Sequence, residues 1–145
     1  MGAASSTWQF WAVLSAVFAA LTAIFAKVGV ATVNSDLATF IRTLVILAVV
    51  TALLIASGEF RPLNSISART YLFLILSGCA TGASWLCYFR ALKLGPASQV
   101  APIDKLSVVL VAIFGVVFLG ERLDLKGWAG VLLIASGALV LALRR

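Results

Sequence analysis

Five apolar runs, each close to the ~20 residues that carry a helix across a ~30 Å hydrocarbon layer, occupy most of this 145-residue chain. Inside lipid every backbone N–H and C=O must be paired within a helix or a closed barrel. The runs are continuous and lack the alternation that separates lipid-facing from lumen-facing barrel positions, so they read as helices. With 63% of residues hydrophobic and 11% charged, against roughly 45–50% and 25% in soluble domains, a soluble fold is excluded. The expected architecture is all-α and integral to the membrane, one domain of five transmembrane helices over residues 1–145. The spans are expected near 8–26, 36–57, 70–89, 96–119 and 125–143, with a polar connection between Gly58 and Arg69. No length remains for a separate catalytic domain.

Several function classes drop out on chemistry. The net charge of +6 comes from basic residues scattered through the connections, which is membrane topology and not a nucleic-acid surface. The chain has no histidine, and no nucleophile and base can be placed together, so an enzyme is not expected, nor a cofactor or metal. Cys79 and Cys87 lie in one apolar run and read as buried free thiols. The start, Met1 to Gln9, has no basic residue ahead of the apolar stretch, so it reads as the first span rather than a cleaved signal. Met1 to Ser6 loosely matches a myristoylation pattern; the reading preferred is a small-residue tip.

Five spans put the termini on opposite faces, and the basic residues nearly balance. Arg61, Arg69, Arg122 and Lys126 stand on the N-terminal face; Lys27, Arg90, Lys93, Arg144 and Arg145 stand on the other, with Arg42 just inside it. Positive-inside counting therefore gives little orientational bias. Two readings stay open: insertion both ways round as an antiparallel homodimer, or one orientation with the C-terminal face in the cytoplasm.

Charges within a span cost on the order of 2.5–3.5 kcal/mol each and face a bundle interior or a wet cavity. Arg42, Asp104 and Lys105 are such charges. At ~1.5 Å per residue, Arg42 and Asp104 fall at similar depths from the same face, so an ion pair between them is geometrically allowed. Lys105 is then left unneutralised, to meet an anionic group or to titrate. The bland alternative is that all three pair with one another and with carbonyls. Pro102 has no N–H for the carbonyl of Ser98, so the fourth span is expected to be kinked or irregular, with Ser98 and Gln99 beside any cavity there. Thr81, Trp85 and Tyr88 share one helical stripe, either an aromatic wall or core packing. Trp8, Trp11 and Trp128 sit at span ends, as interfacial anchors do. Gly78 and Gly82 have the spacing that lets helices approach closely. Gly130 and Gly137 line a groove on the fifth span, for a neighbour in the chain or a second subunit.

The segment LGPASQVAPIDKLSVVLVAIFGVVFLGERL (Leu94 to Leu123), followed by KGWAGVLLIASGALVL (Lys126 to Leu141), resembles the EamA-type domain of the drug/metabolite transporter superfamily. AIFAKVG (Ala23 to Gly29) and YFRALKLGPAS (Tyr88 to Ser98) fit the same pattern, and Gly120-Glu121 is its most characteristic part. The resemblance implies that two five-helix units make one carrier with inverted repeats, so this chain is one half. It implies a homodimer or a second five-helix half as partner. Gly130 to Gly137 is also similar to the dimerisation helix of small multidrug resistance proteins. Their essential first-span glutamate has no counterpart between Trp8 and Lys27. The resulting expectation is a multi-pass carrier of a small polar metabolite in the bacterial inner (plasma) membrane, working by alternating access. Its site residues would be Arg42, Trp85, Tyr88, Gln99, Asp104 and Lys105. The rival is a non-transporting accessory or flippase-type subunit paired with a different protein.

Overall fold

The computed structural model describes residues 5–60 and 66–143. Residues 1–4, the loop residues 61–65, and the terminal Arg144 and Arg145 lie outside the described residues. Six helices follow in order: α1 (Ser5–Gly29), α2 (Ser35–Ala56), α3 (Ala68–Leu94), α4 (Ala97–Asp104), α5 (Ser107–Phe118) and α6 (Leu125–Ala142). With α4 and α5 taken as one span, five stretches are long and apolar enough to cross a membrane. Among the described residues no strand occurs.

The helix ends follow from local chemistry. The Asn34 side chain caps α2 by accepting from the N–H groups of Asp36 (2.8 Å) and Leu37 (3.4 Å), and Asp124 caps α6 through the Gly127 N–H at 2.8 Å. Such caps satisfy donors that the first turn leaves unpaired. At the end of α2, Gly58 takes φ +68°. The N–H groups of Glu59 and Gly58 then turn back to the carbonyls of Leu54 and Ile55, both at 3.2 Å. This paired return is a Schellman motif.

The irregularity expected at Pro102 is an interruption three residues further on. Lys105 N–H still reaches the Ala101 carbonyl (3.2 Å), whereas Leu106 N–H turns to Ile103 (3.0 Å) in place of Pro102. Val108 and Val109 continue with bonds of the same short reach to Lys105 and Leu106, both 3.0 Å. The fourth span is thus two helices joined at Lys105 and Leu106. Pro102 itself removes the bond to the Ser98 carbonyl, one turn before it, so the break at Lys105 and Leu106 lies on the other side of the proline from its direct effect.

Contacts divide the chain into two units, Met1–Lys27 with Leu94–Arg145, and Val28–Lys93. In the first, α4 and α5 both pack on α6. Val131 and Ala138 are buried on α6, with Trp128 and Ala135 half-buried on the same stripe. Other buried residues of this unit are small, Ala23, Ala26 and Gly115. Lys27 donates to the Gly95 carbonyl at 2.8 Å. In the second unit, α2 and α3 run antiparallel, because Val33, Asp36 and Arg42 meet Lys93, Arg90 and Trp85 in reverse order. Its buried residues, Val30, Ser35, Thr39, Phe89 and Leu92, belong to the turn before α2, the first turns of α2 and the last turns of α3.

Large apolar side chains such as Leu47, Phe73 and Leu133 are well over half exposed. In water such surface would drive association; around membrane spans it is what meets lipid tails. Cys79 and Cys87 correct one expectation, since both thiols are exposed rather than buried. The reason is angular: α3 turns its Trp85, Tyr88, Phe89 and Leu92 stripe inward, and both cysteines lie off it.

Candidate functional site

Arg42 stands seven residues beyond Ser35, the first residue of α2, which at ~1.5 Å per residue is roughly 10 Å along the helix. Ser35, Thr39 and Arg42 share one face of α2, and the first two are buried. Their depth fixes the face that Arg42 must use. The Arg42 guanidinium carbon lies 4.1 Å from the centroid of the Trp85 ring and 5.5 Å from that of Phe89. Both are within the ~6 Å over which a ring quadrupole attracts a cation. Arg42, Trp85 and Tyr88 are half-buried and Phe89 is buried. The expected stripe of Thr81, Trp85 and Tyr88 is reduced by one turn, because Thr81 is exposed and its hydroxyl is bonded to the Ser77 carbonyl of its own helix at 2.8 Å.

Two turns nearer the end of the α2–α3 pair, a second arginine is fully engaged. Arg90 donates from Nε to Asp36 Oδ1 (3.1 Å) and from Nη2 to Asp36 Oδ2 (2.8 Å), the bidentate geometry that suits a guanidinium to a carboxylate. Lys93 adds a bond to the Val33 carbonyl at 2.6 Å. Together they fasten the last turns of α3 to the start of α2. Sequence reasoning treated Asp36 and Arg90 only as span ends. The available signal was their place in the first turn of one helix and the last turns of its antiparallel neighbour. Phe89 was also missed, although it lies one turn beyond Trp85.

In the other unit, Asp104 closes α4 and Lys105 follows it at the interruption. Lys105 Nζ lies 3.5 Å from Asp104 Oδ2. Lys105 is therefore not the unneutralised cation expected, because its long side chain reaches the carboxylate of its neighbour. Arg42 and Asp104 belong to different units, and each has its own contacts as given. Gln99 is half-buried on α4. At Gly78, Gly82, Gly130 and Gly137 the space that a Cβ would fill is open to at least 4 Å. Gly115 differs: a Cβ there would stand 2.6 Å from a carboxylate oxygen of Glu121. Gly120, at φ +68°, turns the chain so that Glu121 N–H also reaches the Gly115 carbonyl at 3.1 Å. This is the Gly-Glu pair singled out in the sequence, and its local role is to fold over the end of α5.

This arrangement joins membrane-crossing helices to polar groups set within them, and comparison with known proteins agrees with that character. Residues 6–143 match the EamA-like transporter family. An uncharacterized transporter in the cobO 3' region of a Sinorhizobium species is 67% identical over 138 residues, covering 95% of this chain and 98% of that relative. No solved structure matches the chain. On the family match across nearly all of its length, this protein belongs to the EamA-like transporter family, a family of membrane transporters.

Proposed function

We propose that two copies of this chain, inserted in opposite orientations in a bacterial inner membrane, form one carrier that moves a small polar metabolite by alternating access. The observation that carries the reading is Arg42. A half-buried cation roughly 10 Å into a span is costly, and among the described residues it has aromatic rings for neighbours and no carboxylate. Such a charge in a transporter-family helix fits a solute pathway. Pairing with a second unit is favoured by the near balance of basic residues on the two faces. The Sinorhizobium relative, named as a transporter, also has 98% of its length in the region matched by this single unit. The open faces at Gly130 and Gly137 offer a surface on which a second copy of α6 fits, since small residues let backbones approach.

The test combines orientation, contact and transport. C-terminal reporters active on each side of the membrane are paired with disulfide crosslinking between Gly130→Cys and Gly137→Cys copies, in a Cys79→Ser/Cys87→Ser background. Reporter activity on both sides and a crosslink between positions 130 and 137 support the dimer, because antiparallel helices oppose those two positions. Vesicles of the purified protein are then swept with labelled metabolites for saturable uptake. A single orientation without self-crosslinking, together with no uptake, would replace the carrier by a subunit that needs a different partner.

A further inference from the structure

We infer that Arg42 is the docking point for a carboxylate of the transported solute, held by a guanidinium that lies over the Trp85 ring. This rests on the carrier reading and names the substrate class it leaves open. Of the other cations, Arg90 is filled by Asp36, Lys105 by Asp104, Lys93 by the Val33 carbonyl, and Lys27 by the Gly95 carbonyl, while Lys126 is exposed in the first turn of α6. Arg69 lies near its own neighbour Phe73, at 5.9 Å. All five carboxylate side chains of the protein are among the described residues, and none of them pairs with Arg42.

The remaining contacts of Arg42 are aromatic: Trp85 and Phe89 lie against the guanidinium, and Tyr88 interacts with it electrostatically. A ring whose centroid lies 4.1 Å from the guanidinium carbon attracts the cation without supplying a hydrogen-bond acceptor for its N–H donors, which lie in the guanidinium plane. Among the described residues no acceptor is bonded to them. A group that satisfies such a fork is a planar anion with two oxygens, which a point-charge lysine would hold less specifically. The protein contains the filled version of the same geometry two turns away, where Arg90 grips both oxygens of Asp36 at 3.1 and 2.8 Å. Trp85 and Phe89 restrict where Arg42 can swing, so the fork is pre-oriented before a solute arrives. Half-burial raises the strength of the charge-assisted bonds above that of an exposed arginine.

Trp85 is both wall and reporter. A Trp8→Phe/Trp11→Phe/Trp128→Phe protein, with Trp85 as its sole tryptophan, is placed in phosphatidylcholine nanodiscs. It is titrated with lactate, succinate, malate and gluconate at constant ionic strength, and in parallel with the fully amidated, neutral form of each. The expected result is a saturable change in Trp85 emission with at least one carboxylate and none with its amide. The response should weaken at least tenfold in Arg42→Gln, weaken severalfold in Arg42→Lys, which keeps the charge without the fork, and persist in Arg69→Gln. Size-exclusion profile and helicity identify any variant that fails to fold, and Arg42→Lys then carries the comparison. Equal responses to acid and amide, an unchanged titration in Arg42→Lys, or no response to any of the four overturns the inference. A lipid phosphate is the other source of an oxyanion. If emission changes on replacing phosphatidylcholine by phosphatidylglycerol, with no response to added carboxylates, the site is a lipid contact and the inference fails. Uptake of a neutral solute, with no carboxylate response here, would leave the carrier standing and remove only the substrate class.

Discussion

Removing the Asp36–Arg90 pair should cost little, and the small cost should be sensitive to salt. The two bonds, at 3.1 and 2.8 Å, are well formed, but the side chains are 62% and 46% exposed. Two unit charges ~4 Å apart attract by about 1 kcal/mol in water and about 4 kcal/mol at an effective dielectric of ~20. Exposure of this extent puts the pair toward the lower figure, and holding two flexible side chains in one geometry offsets part of it. A weak coupling is expected, at the upper end for exposed pairs because the contact is bidentate. The measurement is a double-mutant cycle on Asp36→Asn and Arg90→Gln, with unfolding free energies taken by steric trapping in neutral bicelles. The cycle is needed because Asp36→Asn alone also removes an anion from the first turn of α2, worth a further ~0.3–1 kcal/mol with the helix dipole. Raising salt from about 0.1 M to about 1 M shortens the screening length from ~10 Å to ~3 Å, and the coupling should fall. A coupling above about 2 kcal/mol that ignores salt would refute the exposed, screened character assigned here, since buried charge pairs alone behave that way. A coupling of zero would mean that ordering the two side chains offsets the whole attraction.

Three further outcomes follow from local geometry. Asn34→Ala should lower stability by about 1 kcal/mol through loss of the α2 cap, with Asn34→Asp close to neutral; unfolding in the same bicelles checks it. Gly58→Ala should cost about 1–2 kcal/mol from the left-handed backbone alone, since at φ +68° nothing else lies within 4 Å of the added methyl. A stabilised Gly58→Ala protein would show that the turn is not populated. Gly137→Leu meets open space within the chain, so helicity should be unchanged, while the mass by light scattering should fall from two chains to one.

The spans were legible because lipid forces the backbone to satisfy itself, so a long apolar run has little choice but helix. Pro102 announced the irregular fourth span, although the interruption itself falls at Lys105 and Leu106, where the bond that skips Pro102 turns short. The partner of Arg42 was not legible. Equal depth allowed Asp104, but depth along a helix axis says nothing of azimuth or of which helices adjoin. Trp85 was read as part of a stripe on α3, and only the antiparallel register of α2 and α3 puts its ring over the guanidinium. Asp104 and Lys105 meet although adjacent side chains on a helix stand ~100° apart, because the lysine stem is long enough to span the gap. The cysteines misled for the opposite reason, since an apolar environment need not be protein.

The interruption at Lys105 and Leu106 has a mechanical consequence. In a continuous helix, bending breaks the rungs on the outer side of the curve. Here the rungs across the joint have already exchanged the longer reach for the shorter one, and such shorter-reach bonds have the poorer geometry, so bending of the fourth span concentrates at that joint. Lys105 sits where α4 ends, and an ammonium at a carboxyl-terminal end is favoured by the helix dipole. The fourth span therefore behaves as two short levers on a charged pivot, whereas α2 and α3, unbroken over 22 and 27 residues, behave as stiff rods.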